Sequence, residues 1–172
     1  MNFSKIAVAG GLLVASVTPA VWAANAKVCF EAEKPVSIES PLVTKKTDDK
    51  EVSGGGYLEI PWDQNKTKGI GSATYKITAK TAGLYYVWAR TFWANGCGNS
   101  IKVQVNGGTD DILGQDGTYD AWHWVGGRAR VQLNAGANTF ILKNRETGVQ
   151  VDQFFLCQDG DYTPTGIRKD TQ

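Results

Sequence analysis

The chain has 172 residues, and its 18 Lys and Arg side chains nearly balance 17 Asp and Glu, so the formal net charge is +1. No run of basic residues is longer than two. The sequence therefore lacks the basic footprint of nucleic-acid-binding proteins, and no nucleic-acid partner is expected. The three cysteines have no CxxC spacing that would indicate a zinc site. The single histidine, His123, excludes a metal site with several histidine ligands.

The first 23 residues are typical of a secretory signal. A lysine precedes an apolar stretch from Ile6 to Val17, and small residues follow up to Ala23, after which we expect cleavage. The apolar stretch of about 12 residues is shorter than the roughly 20 that a membrane-spanning helix needs, although a permanent anchor is the alternative. We therefore expect a secreted extracellular or periplasmic protein without a membrane partner, in which one disulfide and one leftover thiol are the default.

Beyond Lys27 the apolar residues recur with period two in short runs separated by Gly, Asn and Asp, as in antiparallel strands joined by turns. This pattern predicts an all-β fold, a two-sheet antiparallel β-sandwich of the jelly-roll type. The predicted strands are residues 27–33, 56–61, 70–79, 83–93, 99–106, 121–125, 128–134, 137–143 and 148–157.

The domain boundaries follow from the polar segments. We expect one domain over residues 24–160, in which the polar segment 34–55 forms a long surface loop. Residues 161–172 form a polar C-terminal tail, and we expect the end of this tail to be loose.

The tryptophans differ in how well packing explains them. Tyr86 and Trp88 alternate inside a long predicted strand and are expected in the core. Trp62 and Trp93 stand at strand ends beside turn residues, where large apolar side chains have less reason to lie. The two tryptophans of the 121–125 strand share one face, and for them packing and recognition both remain open. Aromatic rings at loop edges suit sugars, because the C–H face of a pyranose stacks on an aromatic plane.

Several segments, taken in their order and spacing, resemble the carbohydrate-binding modules of families 6 and 35. The match extends over residues 28–157. The resemblance implies a galactose-binding-like jelly-roll sandwich that binds an oligosaccharide or polysaccharide without catalysis. The segments that carry it are FEAE, GLYYVWART, IKVQVNGG, GTYDAWHWV, VQLNAGANTFIL and VQVDQFFL.

The resemblance also implies a structural calcium held by Glu31 and Glu33 of the first strand and Asp152 of the last. Residues two apart in a strand point to the same face about 6.6 Å apart, so two carboxylates there can converge on one ion. Calcium takes six to eight oxygen ligands, and a charge beside Phe154 and Phe155 is costly to bury unless paired or metal-bound. The alternatives are that the glutamates face water, that Asp152 lies on the polar side of its strand, or that Asp152 pairs with Arg or Lys.

A shallow ligand cleft at a loop end is the third implication of the resemblance. Such a cleft combines stacking aromatic rings with an amide that lies just before the last-strand aspartate. The matching positions are Tyr57, Tyr119, Trp122 and Gln150, and we expect Trp93 and Arg145 to border the cleft.

The first and last strands would be neighbours in this fold, so we expect a Cys29–Cys157 disulfide and a free Cys97 in a turn. If these two cysteines were directly opposite each other, Glu33 would face Gln153 rather than the aspartate before it. A β-bulge between the cysteines and the acidic residues, or a metal that lies past the strand end, would reconcile the two expectations.

A different class of function is also compatible with the sequence. The chain could be a structural subunit of an extracellular fibre or matrix, self-associating through sandwich edges, exposed aromatics and Cys97. Enzymatic activity is not expected. A glycosidase needs two carboxylates across a cleft, whereas the pairs Asp48-Asp49 and Asp110-Asp111 are adjacent residues in turn-rich stretches.

Overall fold

The computed structural model describes residues 26–172, so the predicted signal segment lies outside the described residues. These residues form eleven strands. Residues 26–172 contain no helix of the length and hydrophobicity needed to cross a membrane. The strands are β1 (Lys27–Glu31), β2 (Ser37–Ile38), β3 (Val43–Lys46), β4 (Gly56–Ile60), β5 (Ser72–Ala79), β6 (Gly83–Trp93), β7 (Ser100–Val105), β8 (Asp111–Gly114), β9 (His123–Leu133), β10 (Gly136–Lys143) and β11 (Val149–Cys157).

The strands form two antiparallel sheets, which confirms the predicted all-β sandwich. One sheet has six strands in the order β3-β4-β11-β6-β9, with β1 also paired to β11. The other has five strands in the order β2-β5-β10-β7-β8. Strand β11 pairs with β6 along one edge, and along its other edge it pairs first with β4 and then with β1. The place where β4 gives way to β1 is therefore a gap in the ladder beside the middle of β11.

A cluster of aromatic rings joins the two sheets at the centre of the core. Phe30 and Phe154 come from the six-stranded sheet, and Tyr75 and Phe140 come from the five-stranded sheet. The Phe140 and Phe154 ring centroids are 4.7 Å apart, and Phe30 lies 5.2 Å from both Tyr75 and Phe140. Each fully buried phenylalanine contributes about 1.5–3 kcal/mol to the free energy of unfolding, so this cluster is a principal link between the sheets.

Three of the predicted element boundaries are wrong. The separate strands predicted at 121–125 and 128–134 overlap the single strand β9, because Gly126 and Gly127 form an irregularity in the pairing with β6 rather than a turn. A Cβ on Gly127 would lie 2.5 Å from Trp88, so only glycine fits under that ring. The predicted loop 34–55 contains the short strands β2 and β3, and β8 lies in a segment where no strand was predicted.

The face of β6 that enters the core is the opposite of the predicted one. Tyr85 and Val87 are fully buried between the sheets, whereas Tyr86 and Trp88 are half-buried on the outer face. Trp88 belongs to a second, smaller hydrophobic cluster on that face. The members of this cluster are Cys29, Phe155 and Cys157, with Trp88, Trp124 and Tyr162 packed against them.

The predicted Cys29–Cys157 disulfide is absent, and all three cysteines are free thiols. Strand β1 pairs Cys29 with Phe155 and Lys27 with Cys157, so the two cysteines are offset by two positions rather than directly opposite. The predicted disulfide was therefore wrong. Cys97 is exposed, as expected for its turn.

The C-terminal tail is attached to the sandwich up to its last residues, contrary to the expectation of a loose end. The amide of Thr171 donates to the Cys29 carbonyl at 2.9 Å, and its hydroxyl accepts from the Cys29 amide at 2.9 Å. The Arg168 amide donates to Gln153 Oε1 at 2.9 Å. The ring of Tyr162 stacks on Phe155 with centroids 5.3 Å apart, so the tail covers the smaller cluster.

Candidate functional site

A concave site lies at the end of β4 and β11, where their register places Glu59 directly opposite Gln150. Its volume is about 350 Å³, within the range of small-molecule sites. Trp62 follows β4 and is 52% exposed, the largest exposed aromatic side chain of the described residues. We call this site the Trp62 pocket, lined by Glu59, Trp62, Ala94, Asn95, Gly98, Gly148 and Gln150.

The position of the Trp62 ring depends on the glycine that precedes β11. Gly148 has a φ of +83°, and a Cβ there would lie 2.9 Å from Trp62 Cε3. Glycine is therefore required both for the backbone conformation and for the close approach of the indole. The ring packs on the backbone of Gly148 while about half of its surface stays exposed, which leaves a stacking surface for a ligand.

The loop that forms the far wall of the pocket is fixed by side-chain hydrogen bonds. Asn65 Nδ2 donates to the Cys97 carbonyl at 3.2 Å, and Asn65 Oδ1 accepts from the Thr147 amide at 2.8 Å. The Cys97 amide donates to Asn95 Oδ1 at 2.9 Å. These bonds tie the 94–98 loop to the segment before β11, so the pocket wall is ordered before any ligand enters.

Three of the predicted ligand residues share the outer face of the six-stranded sheet beside the pocket. The Trp122 ring centroid lies 5.9 Å from Tyr57 and 5.7 Å from Phe92. Gln150 is opposite Phe92 in the ladder, so the amide joins the pocket to these rings. We call Tyr57, Phe92 and Trp122 the aromatic row. The sequence analysis did not select Phe92, because alternation alone does not say which face of β6 is outward.

The other three predicted ligand residues lie elsewhere. Tyr119 is 40% exposed, and its hydroxyl accepts from Asn99 Nδ2 at 3.3 Å. A Cβ on Gly96 would lie 3.3 Å from this hydroxyl, so Tyr119 lies over the pocket loop and is not part of the aromatic row. Arg145 donates to Glu146 Oε1 at 2.8 Å and is not a lining residue of the Trp62 pocket. Trp93 is fully buried in the core, so its predicted place at the cleft border is wrong.

Trp62, Glu59 and Asn95 are the aromatic and polar pocket residues that the predicted cleft omitted. The sequence signal for Trp62 was its place after a strand and next to turn residues, which Trp93 shared. Only the topology separates the two, because Trp93 is the last residue of β6 and points between the sheets.

The acidic pair Glu31 and Glu33 lies at the gap between β4 and β1. Strand β1 ends at Glu31, and Glu33 follows in a turn, so the two do not share one strand face as predicted. They nevertheless converge on Gly54, where a Cβ would be 2.5 Å from Glu33 Oε1 and 3.4 Å from Glu31 Cδ. Glu31 Oε2 and both Glu33 carboxylate oxygens are buried without a hydrogen-bond partner. This burial raises the pKa of Glu31 and raises that of Glu33 to about 7.

Asp152 is fully buried at a register shift between Val151 and Gln153 in the pairing of β11 with β6. Its Oδ1 accepts from the Ser53 amide at 2.8 Å, and its Oδ2 forms an ion pair with Arg90 at 2.7 Å. Burial raises the pKa of Asp152, and the Arg90 guanidinium opposes that shift. The alternative of a basic partner for this aspartate is therefore what the structure contains.

The residues at this gap fit a calcium ion in part. Within residues 26–172 no three or more His, Cys, Asp or Glu side chains are assembled as a ready metal site. The three unpartnered oxygens of Glu31 and Glu33 are hard ligands of the type that calcium prefers, and they face a glycine loop that leaves space. Asp152 would have to share its carboxylate between Arg90 and the ion.

No protein-family model and no curated protein matches the chain. Solved structures share its fold. A Podospora anserina GH26-CBM35 β-(1,4)-mannanase superposes with a TM-score of 0.59 at 25% identity, over 84% of this chain and 29% of the mannanase. A family 35 carbohydrate-binding module from Clostridium thermocellum gives a TM-score of 0.59 at 21% identity, over 75% of this chain and 97% of the module.

An exo-β-1,3-galactanase from Phanerochaete chrysosporium gives a TM-score of 0.58 at 17% identity, over 76% of this chain and 29% of the enzyme. The chain thus spans less than a third of the length of the two enzymes, and it matches nearly the whole of the isolated module. The fold is that of family 35 carbohydrate-binding modules.

Proposed function

We propose that this protein is a secreted, non-catalytic carbohydrate-binding module that holds a glycan in the Trp62 pocket. One observation carries the proposal: a half-exposed indole, two amides and a carboxylate converge in one concave site of sugar size. The apolar face of a pyranose stacks on the exposed indole, while Gln150, Asn95 and Glu59 hydrogen-bond to its hydroxyls. The family 35 fold supports the same function.

The aromatic row extends this surface. Because Gln150 borders both the pocket and Phe92, a chain of several sugar residues that enters the pocket can continue over Tyr57 and Trp122. A longer oligosaccharide is therefore expected to bind more tightly than a monosaccharide.

The protein is proposed to be non-catalytic because of the charged groups that line the site. A glycosidase needs two carboxylates that face each other across the bound sugar. The lining of the Trp62 pocket provides one, Glu59. The acidic residue Asp110, considered above, is instead paired with Lys143 at 2.6 Å.

We further propose one structural calcium at Glu31, Glu33 and Asp152. Its support is the set of unpartnered, buried oxygens of the two glutamates, which are costly to leave without a partner. No residue of this group lines the Trp62 pocket, so the ion would act on stability and not on recognition.

The experiment that tests sugar binding is isothermal titration calorimetry against a panel of neutral and acidic plant, fungal and bacterial oligosaccharides. Trp62→Ala should lower the affinity for any bound sugar by several-fold to tenfold or more, since a stacked ring is worth about 1 kcal/mol or more. The melting temperature should change little, because the side chain is half-exposed and belongs to neither hydrophobic cluster.

The matched control is Ile112→Ala, which removes a side chain that is 50% exposed on β8 and outside the pocket. This variant should bind like the parent. If Trp62→Ala binds as tightly as Ile112→Ala, the sugar does not stack on Trp62 and the proposed site is wrong.

A further inference from the structure

The Trp62 pocket carries a single charged lining residue, and this charge is negative. Glu59 projects from β4, and its side chain is 24% exposed. Its ladder partner Gln150 is neutral, as are Trp62 and Asn95. A carboxylate accepts hydrogen bonds and donates none, so Glu59 favours ligand groups that donate, such as hydroxyls.

Three cations near the pocket contact carboxylates of the protein. Lys45 Nζ is 3.4 Å from Glu59 Oε2, on the side of β3. Lys68 and Arg145 both contact Glu146, at 3.8 Å and 2.8 Å. None of these three cations is a lining residue of the pocket. A ligand carboxylate in the pocket would therefore meet Glu59 without a positively charged lining residue to compensate it.

We infer that the Trp62 pocket selects uncharged sugars and rejects uronates, and that Glu59 is the residue that sets this preference. The inference rests on the proposed function of the pocket. A neutral pyranose offers hydroxyl donors to the Glu59 carboxylate in charge-assisted hydrogen bonds. The uronate of the same sugar brings a negative charge to the same place, where like charges disfavour the complex.

Lys45 is the residue that weakens this selection. It neutralises part of the Glu59 charge, but its side chain is 48% exposed and lies outside the lining, so water and salt screen it. The selection should therefore become sharper when Lys45 is replaced by Met and weaker when Glu59 is replaced by Gln.

The test is calorimetry at pH 7 and low salt with matched pairs of oligosaccharides, one neutral and one the uronate of the same stereochemistry. Oligosaccharides of galactose are paired with those of galacturonate, those of mannose with those of mannuronate, and those of glucose with those of glucuronate. The protein should bind at least one neutral member about tenfold or more tightly than its uronate. The ratio of the affinity for the neutral sugar to the affinity for its uronate should fall several-fold in Glu59→Gln. It should also fall at high salt, which screens the repulsion. Glu39→Gln, an exposed glutamate beside β2, should leave it unchanged.

Three results would contradict the inference, and they separate it from the function on which it rests. Tighter binding of the uronates by the parent protein would overturn the selection and leave sugar binding intact. An unchanged ratio in Glu59→Gln would remove Glu59 as its cause. A failure to bind any member of the panel would overturn the proposed function and this inference with it.

Discussion

Arg90 and Asp152 form the most deeply buried of the described ion pairs, with side-chain exposures of 8% and 0%. Arg90 also donates to the Glu51 carbonyl at 2.6 Å and lies 5.6 Å from the Trp122 ring. One guanidinium thus neutralises the buried aspartate, holds the loop before β4 and supports one ring of the aromatic row. Removing one partner of such a pair leaves an uncompensated charge in the interior.

Arg90→Met should accordingly lower the free energy of unfolding by about 3–5 kcal/mol, the usual cost of breaking a buried pair. Denaturant titration of the variant measures this loss. The control Arg128→Met replaces an exposed arginine of β9 and should change the stability by less than about 0.5 kcal/mol. Equal stabilities of the two variants would show that the Arg90 charge is not what holds Asp152 in the interior.

At the scale of the elements, the C-terminal tail is an integral part of the smaller hydrophobic cluster. Tyr162 stacks on Phe155, and the buried amide of Gln153 exchanges hydrogen bonds with the main chain of Arg168 at 2.7 Å and 2.9 Å. Gln153 Nε2 also donates to Glu31 Oε1 at 3.1 Å. The tail is therefore connected through Gln153 to the acidic pair.

Deletion of residues 161–172 should lower the melting temperature by several degrees, because Phe155 becomes exposed and the Gln153 amide loses buried partners. Differential scanning calorimetry measures the shift, and alkylation of Cys29 should become faster because the tail no longer covers it. Sugar binding in the Trp62 pocket should be retained, since no tail residue lines it. An unchanged melting temperature would mean that the tail contacts contribute no stability.

The sequence predicted most of the long strands but not which face each one buries. Alternation in β6 gives two faces, and both carry large aromatic residues, so Tyr86 and Trp88 were assigned to the core although Tyr85 and Val87 lie there. The outer face is apolar because Tyr162 of the tail covers part of it, a contact that local patterning does not contain. The short edge strands were missed for a similar reason, since β2 and β3 exist through pairing with β5 and β4.

Prediction of the candidate site was limited in the same way. Tyr57, Trp122 and Gln150 were selected from the resemblance, and the structure places them on one face. Trp62 and Trp93 look alike in sequence, yet one is 52% exposed and the other is fully buried. The topology, which points Trp93 between the sheets, makes this difference, and Gly148, distant in sequence, makes room for the Trp62 indole.

For the whole molecule, the proposed calcium would link the first strand and the turn after it to the last strand. A ligand that binds only the folded state raises stability by about 2.7 kcal/mol at one hundred times its dissociation constant. Excess chelator should therefore lower the melting temperature of the calcium-loaded protein by roughly 5–10 °C, given about 2–4 °C per kcal/mol for a domain of this size. Glu33→Gln should respond much less to chelator. Equal responses, or no metal in elemental analysis, would contradict the site.

The metal-free protein should also show a distinctive pH dependence. Burial raises the pKa of Glu33 from its ordinary 4.5 to about 7, so the folded state binds this proton more tightly than the unfolded state does. The stability that this group contributes is present below pH about 4.5 and is lost as the pH rises through 7. With chelator, the parent should thus lose stability between pH 5 and pH 8 relative to Glu33→Gln, and calcium should reverse the trend. A flat difference between the two proteins would contradict the buried, unpartnered state of Glu33.

The most direct test of sugar binding is a glycan array probed with the parent protein and with a Trp62→Ala Gln150→Ala double variant of confirmed fold. The parent should bind a related group of neutral glycans, more strongly as the chains lengthen, and the double variant should lose these signals while keeping its melting temperature. A parent protein that binds no glycan, or a double variant that binds the same glycans undiminished, would contradict the assignment of carbohydrate recognition to the Trp62 pocket.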